Sequence, residues 1–406
     1  MTPLFPDVGI IGLVPDYWGL SVWQPRHHVL TRLSRYFQVL WVDPALGWRD
    51  FWLPGKPQPK GDLNGMAKPP GFSVYPSTRW TPGVFRPEFA ASALRRLRLH
   101  EARQRLKRLG CKKIILYIWR PEFRHALDEV DADVVCYHID DEYTFSDSDL
   151  AIPPEELDLL IQSDCVIVHS RELANKKGFL NPNMSLVPNG VDFEMYSAAH
   201  PEPDDMKNIP HPRAGYVGVI KKQLDLQLLL DLAGRHSELS FVCVGPYGQL
   251  GDGVPLVDAM KRLPNVHFLG RKPIAQLPAY MRHLDVCLLP YVRNDYTRYI
   301  FPMKLHEYLA TGRPVIGTPI ASLQEFGQVI QLATSREEWS AALARATSPE
   351  AMAAPRVRER KALAREYDWN LLVANIASGL CSHLGATYDL PRADCQAVQS
   401  AMSLHV

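Results

Sequence analysis

Little in this sequence pairs, spans or leans to one charge. The seven cysteines (Cys111, Cys136, Cys165, Cys243, Cys287, Cys381 and Cys395) are scattered and odd in number, and no two form a C-x-x-C pair. That excludes a disulfide framework or a zinc ribbon and fits buried thiols in a reducing compartment. No run of eighteen apolar residues occurs, so no spanning helix is expected. No charged start followed by a long apolar run is present, so no signal peptide is expected and the expected location is cytoplasmic. The net charge is +1, from 45 basic and 44 acidic residues, which argues against nucleic acid as the main partner. No repeat or long low-complexity segment stands out. What is present is ordinary globular composition, 46% apolar and 22% charged, over 406 residues, a length that suits two domains.

Short apolar runs alternate with helical spacing along both halves. Val8 to Val14, Val39 to Val42, Lys113 to Tyr117, Ala132 to His138 and Cys165 to His169 read as strands. Arg26 to Phe37, Pro87 to Leu109 and Glu155 to Gln162 read as helices between them, and Phe51 to Gly71 as a mobile loop. Ser197 to Arg213 is rich in proline and acid and reads as a linker. A second series follows, with strands at Ala214 to Ile220, Ser240 to Val244, Val266 to Leu269, Val286 to Leu289 and Pro314 to Gly317. Its helices are Leu224 to Ala233, Val257 to Leu263 and Ala275 to Arg282, and Ala341 to Glu366 reads as helical beyond them. Such alternation implies an α/β protein of two doubly wound parallel sheets, which bind ligands at the carboxyl ends of their strands.

One segment carries more chemistry than the rest. Phe301-Pro302-Met303-Lys304-Leu305-His306-Glu307-Tyr308-Leu309-Ala310-Thr311-Gly312 reads as a helix with Pro302 at its first position and Gly312 just past its end. Pro302 itself has no N–H to offer, but the free N–H groups that follow it, at Met303, Lys304 and Leu305, and the partial positive charge of the first turn attract phosphate. Lys304 adds a full charge. Glu307, one turn on, can accept hydrogen bonds from the two hydroxyls of a ribose. Together they fit a nucleoside diphosphate. The plain alternative is a capped amphipathic helix with Leu305, Tyr308 and Leu309 in the core, which leaves Lys304 and Glu307 unexplained.

The segment resembles the donor-binding helix of GT-B glycosyltransferases of the family 4 type, which read P-x-K-L-x-E-Y-L-A-x-G-x-P-V. The resemblance extends to Val187-Pro188-Asn189-Gly190-Val191-Asp192, Gly215-Tyr216-Val217-Gly218, the strand ends at Phe241 to Pro246 and Asn265 to Arg271, and Trp23-Gln24-Pro25-Arg26-His27-His28. It implies a GT-B fold, two Rossmann-like domains facing across a cleft. Residues 1–200 would be the acceptor-binding domain, 201–213 a linker and 214–366 the donor domain. Residues 367–385 would form a helix crossing back to the first domain, and 386–406 a tail.

The resemblance places the donor on Gly218, Lys221, Lys222, Arg271, Arg298, Pro302, Met303, Lys304, Leu305 and Glu307. A side chain at 218 would block close approach of the diphosphate to backbone N–H groups. Relatives often carry arginine after that glycine and a lysine further on. Here Val219 follows, and Leu224 and Asp225 stand where lysine and glycine are usual, so Lys221 or Lys222 is expected to supply the charge. Tyr299 stands where the family's first glutamate of E-x7-E belongs. The polar loop Asn294 to Arg298 is the expected substitute and the expected seat of sugar specificity, with the Arg298 fork suited to a phosphate or a sugar carboxylate.

In the first half, the resemblance sets His138 against the donor sugar, with Asp140 and Asp141 as acceptor-binding or charge-stabilising carboxylates; Glu142 extends the acid cluster. His138, Asp140, Asp141 and Lys304 are thus the catalytic candidates. Asp147-Ser148-Asp149 has a D-x-D shape, but a solvated loop is the preferred reading, and neither metal nor cofactor is expected beyond a UDP- or GDP-type sugar donor. The helix carrying Arg95 to Arg108 is basic, with Leu94, Leu97, Ala102, Leu106 and Leu109 on one stripe. It suits either a solvated face or peripheral contact with a membrane bearing a lipid-linked acceptor. The expected activity is transfer of a sugar, with retention, to a hydroxyl of a glycan or glycolipid. A nucleotide-sugar epimerase and a non-catalytic sugar-nucleotide-binding protein remain the alternatives.

Overall fold

The computed structural model describes residues 2–19, 23–47, 68–78, 80–83, 86–142 and 152–390. Most of the segment 51–71, and Asp147 and Asp149 with their loop, lie outside the described residues. Two compact units divide the chain. One gathers the described residues within 1–144, 149–187 and 370–406, the other those within 188–369.

The first unit holds seven parallel strands: β1 Phe5–Leu13, β2 Phe37–Val42, β3 Phe72–Tyr75, β4 Lys113–Ile118, β5 Val134–Ile139, β6 Cys165–Val168 and β7 Met184–Leu186. They stand in the order β3-β2-β1-β4-β5-β6-β7. The central strands β1, β4 and β5 are buried over most of their length, as expected of a parallel sheet with helices on both faces. Register is in phase at the carboxyl ends, with Leu13 opposite both Val42 and Ile118. The side chains that follow β1, β4 and β5 therefore share one edge.

The second unit repeats the plan with β8 Arg213–Val217, β9 Ser240–Val244, β10 Val266–Gly270, β11 Val286–Leu289, β12 Val315–Gly317 and β13 Gln331–Leu332, ordered β10-β9-β8-β11-β12-β13. Its reversal falls between β8 and β11, so the residues just after Val217 stand at the switch point where such sheets bind ligands.

Several sequence expectations are corrected. The helix expected over Arg26 to Phe37 is Pro25–Leu33, and Phe37 already opens β2. Strand β8 ends at Val217, not Ile220, because the chain turns at Gly218. The stretch from Ala341 to Glu366 is two helices, Arg336–Ala346 and Ala354–Glu366, interrupted around Pro349 and Pro355, since proline cannot continue the ladder. Residues 201–213 are no free linker. Met206 is fully buried, and the buried Arg213 guanidinium donates to the carbonyls of Met206 and Ile209 at 2.7–2.9 Å.

The basic helix runs Glu88–Arg108. Its buried side is Ala91, Arg98, Leu99, Ala102 and Leu106, and Leu97 and Leu109 are exposed. The apolar stripe expected through Leu97 and Leu109 does not form. Arg98 takes a place in it instead, donating to the Asp43 carbonyl at 2.6 Å.

Candidate functional site

The helix Met303–Thr311 is fixed at both ends. Pro302 is the cap residue (φ −73°, ψ 118°) rather than the first helical residue, and no side chain caps the first turn. Leu305 N–H donates to the Pro302 carbonyl at 3.1 Å, which leaves the N–H groups of Met303 and Lys304 for a ligand. The chain entering it is held by Asn189, whose amide donates to the Phe301 carbonyl at 2.7 Å. Gly312 ends it in the left-handed region at φ 81°. Leu305, Tyr308 and Leu309 are fully buried, and the Tyr308 hydroxyl accepts from the Val217 N–H at 2.8 Å, tying the helix to the end of β8. His306 is a core residue, stacked on Tyr367 at 3.9 Å.

That tie brings Gly218 against Lys304. A Cβ at position 218 would lie 1.9 Å from Lys304 Cε and 2.6 Å from its Nζ. Gly245, after β9, is as tight: a Cβ there would lie 2.0 Å from the Gly218 carbonyl oxygen. Two glycine turns and a helix N-terminus thus converge on one ammonium group, which also sits 5.8 Å from the Tyr216 ring. Burial lowers the Lys304 pKa, opposed by the Glu307 charge. Glu307 is raised by burial, opposed by Lys304 and by a hydrogen bond from Tyr196. Asn189 and Tyr196 were missed as site residues; a turn-like Asn-Gly and a tyrosine in a short helix give no sequence signal for these partners.

The loop after Gly218 pairs with the loop after Gly245. Ile220 N–H donates to the Pro246 carbonyl and Lys222 N–H to that of Gln249, both at 2.9 Å. Lys221 projects towards Tyr296, its ammonium 6.0 Å from the ring, and Lys222 is exposed. Leu224 is buried, and Asp225 caps the helix Leu226–Arg235 by accepting from Leu228 N–H at 2.8 Å. Their departure from the family pattern has this structural use. Arg271 is exposed just past β10 on the same edge.

The segment expected as a polar loop is a short helix, Asp295–Tyr299, with Asn294 and Thr297 forming its capping box. Asn-x-x-Thr was the signal for it. Tyr299 is buried beneath it, and Arg298 is exposed in a cleft beside Pro319 and Gln324 rather than against Gly218 and Lys304.

In the first unit, His138 is the penultimate residue of β5, with 4% of its surface exposed, stacked on Trp119 at 4.0 Å and hydrogen-bonded through Nδ1 to the Tyr117 hydroxyl at 2.7 Å. Burial, then His169 and Arg26, hold its pKa well below the usual histidine range, so it stays neutral at neutral pH. Asp140 pairs with Arg26, which also binds Asp16, and Arg120 stands 3.8 Å away. Asp141 accepts from the Glu142 N–H at 3.0 Å, and buried Glu142 meets Lys177 at 3.2 Å and Lys176 at 3.4 Å. The expected carboxylates thus all have partners within their own unit. Trp23, partly exposed, stacks on His27.

Residues 211–355 match the family model described as Glycosyl transferases group 1. A putative teichuronic acid biosynthesis glycosyltransferase of Bacillus subtilis, TuaH, is 32% identical over 179 residues, 42% of this chain and 44% of that protein, so the match spans less than half of the relative. Among solved structures, sucrose-phosphate synthase of Thermosynechococcus elongatus superposes with a TM-score of 0.64 at 16% identity, covering 93% of this chain and 97% of that one. The Anabaena protein HepE, solved with UDP and glucose, gives 0.61 at 15% identity over 92% and 99%. The chain therefore has the GT-B fold, and Gly218, Gly245, Lys304 and Glu307 all fall within the segment 211–355 that matches the group 1 glycosyltransferase model.

Proposed function

We propose that this chain transfers a sugar from a UDP- or GDP-type donor to a hydroxyl acceptor in the assembly of a surface polysaccharide or glycolipid. The observation that carries the reading is the contact of Gly218 with Lys304. A backbone without a side chain, an open helix N-terminus and a single ammonium group meet where a diphosphate would lie. Glu307, one turn on, takes the ribose. Cleavage of the sugar–diphosphate bond builds negative charge on the leaving oxygens, which Lys304 and the first-turn N–H groups oppose. In the retaining course the departing oxygen takes the acceptor's proton on the same face. The Bacillus relative, named for teichuronic acid biosynthesis, supports a polysaccharide setting. A panel of sugar nucleotides tests the reading: transfer or hydrolysis supports it, an isomerised donor makes the protein an epimerase, and binding without reaction makes it a non-catalytic binder.

Glu307→Ala is expected to weaken UDP or GDP binding by about 1–3 kcal/mol, the loss of a charged hydrogen-bond acceptor. The raised pKa adds a pH signature. Only the ionised carboxylate offers both oxygens as charged acceptors to the two hydroxyls, so affinity should fall as pH drops through the raised value, starting higher than for an ordinary glutamate. Titration calorimetry across pH checks both; equal affinity in folded wild type and variant would remove Glu307 from the site.

Peripheral contact with an anionic membrane through the helix Glu88–Arg108 is a second element of the proposal, favoured by its solvent face. Phe89 is 78% exposed and Leu97 45%, and the exposed basic residues Arg96, His100, Lys107 and Arg108 outnumber the exposed acids Glu88 and Glu101, with Arg96 3.8 Å from Glu129. Aromatic and aliphatic groups among cations suit a lipid surface, each basic residue near it contributing about 1 kcal/mol. The triple variant Arg96→Glu/Lys107→Glu/Arg108→Glu should abolish sedimentation with phosphatidylglycerol vesicles. Unchanged sedimentation, or none by wild type, would leave this face simply solvated.

A further inference from the structure

Two clefts among the described residues of the second unit lie away from the Gly218–Lys304 contact, and they differ in charge. One, of about 560 Å³, is lined by Glu202, Asp204 and Asp205 together with Lys207 and Lys272, and its charges satisfy one another: Lys207 meets Asp204 at 2.6 Å and Lys272 meets Asp205. The other, of about 330 Å³, is lined by Arg293, Asn294, Thr297, Arg298, Pro319 and Gln324, with Ile320 and Ala321, and no acidic side chain borders it. Neither Arg293 nor Arg298 meets a carboxylate among the described residues; the Arg298 guanidinium only lies 5.7 Å from the Tyr299 ring. Two cations opening into one concave space, with amide and hydroxyl groups beside them, form a receptor for an anion.

The position of this cleft says which molecule brings the anion. Arg293 follows β11, Pro319 follows β12, and Leu289 pairs with Gly317 at the carboxyl ends of those strands. Strand β11 is also the neighbour of β8, whose end carries Gly218. The cleft therefore lies on the same sheet edge as the diphosphate site. Arg298 stands five residues before Met303, where the phosphate-binding helix begins. The capping box of Asn294 with Thr297, both bonds at 3.0 Å, holds the short helix that carries Arg298. Tyr299, buried where a family glutamate would offer a carboxylate, puts no negative charge beside these arginines.

We propose that Arg298 and Arg293 bind an anionic substituent of the sugar substrate, a carboxylate or a phosphate, and so select a charged sugar over a neutral one. This rests on the glycosyltransferase reading above and assigns the substrate class within it. A glutamate facing the sugar recognises hydroxyls by accepting from them. An arginine pair reverses that polarity and recognises acceptor oxygens.

Titration calorimetry on the full chain tests it with UDP, UDP-glucose, UDP-glucuronate, glucose, glucuronate and glucose 6-phosphate. An acidic ligand is expected to bind about 10- to 100-fold more tightly than its neutral counterpart, the range for a charge-assisted hydrogen bond. A preference for UDP-glucuronate places a carboxylate on the donor. A preference confined to glucuronate or glucose 6-phosphate places the carboxylate or phosphate on the acceptor. Arg298→Ala should erase the preference, and Arg298→Lys should restore only part of it, because an ammonium lacks the fork. Equal binding of acidic and neutral ligands in every arm would overturn the proposal, as would a preference that survives the Arg293→Ala/Arg298→Ala double variant. Absence of UDP binding would count against the donor reading, whereas the free-sugar arms judge the arginine cleft on their own.

Discussion

Gly245→Ala should destabilise the second unit by about 3 kcal/mol, an overpacking cost added to a strained backbone. The new methyl would sit 2.0 Å from the Gly218 carbonyl oxygen and 2.7 Å from its carbon, and Gly245 holds φ at +143°. Relief would need backbone movement, since a main-chain oxygen has no rotamer to adopt. Both backbones are held: Gly218 N–H donates to the Val244 carbonyl and Gly245 N–H to the Gly270 carbonyl, each at 2.8 Å. Gly270→Ala provides the comparison. It shares a positive φ of 67° but meets nothing within 4 Å, so it should cost only about 1–2 kcal/mol, the left-handed penalty alone. Denaturant unfolding of the two variants separates the terms. If Gly245→Ala were no less stable than Gly270→Ala, the close approach of the two turns would not be a fixed feature of the molecule.

The parts of this fold that the sequence showed clearly are those where one local signal dominates. Phe241–Val244, preceded by Ser240, and Val286–Leu289 are unbroken apolar runs ended by Gly245-Pro246 and by Pro290, and both strands fall at the expected residues. Strands β3, β7 and β13, with sequences FSVY, MSL and QL, escaped because they mix polar and apolar residues over too short a span to set a period, whereas β11 is as short as β3 but apolar throughout. Residues 201–213 misled for another reason. Proline and acid are linker composition, but Met206, Ile209 and Arg213 are buried, and tertiary contact overrides composition. On the basic helix, the stripe failed because Arg98 is buried through hydrogen bonds that its charge does not advertise.

The same division runs through the site. The helix Met303–Thr311 was legible because proline, lysine, glutamate and glycine each act locally, at helix ends or one turn apart. Gly218 was legible as a strand-end glycine, but its contact with Lys304 spans 86 positions in sequence and needed the fold to appear. For His138, the strand-end position was readable while its stacking on Trp119 and its bond to Tyr117 were not. Those partners stand on and just beyond the adjacent strand β4, and only parallel register places them there.

Lys304→Ala should lower turnover by about 100- to 1,000-fold, the loss typical of a group aimed at developing charge, while changing ground-state donor affinity by about tenfold or less. The asymmetry follows from the chemistry. The intact donor already spreads its diphosphate charge, whereas bond cleavage concentrates further charge on the leaving oxygens, so the ammonium is worth more in the transition state than before it. Burial makes this cation sensitive to its surroundings, as its lowered pKa shows. The Glu307 charge opposes that shift, and a bound diphosphate would oppose it more strongly. Gly218→Ala provides an independent route to the same defect. Its methyl would meet the far end of the lysine, Cε at 1.9 Å, and a flexible side chain yields where backbone does not. The protein should then stay folded with Lys304 turned aside, and turnover should drop towards the Lys304→Ala value. Single-turnover rates with a saturating sugar nucleotide, set beside binding measured without reaction, test the pair. A Gly218→Ala variant with wild-type turnover, or a Lys304→Ala variant whose whole loss lies in donor affinity, would show that the ammonium only holds the donor and takes no part in breaking its bond.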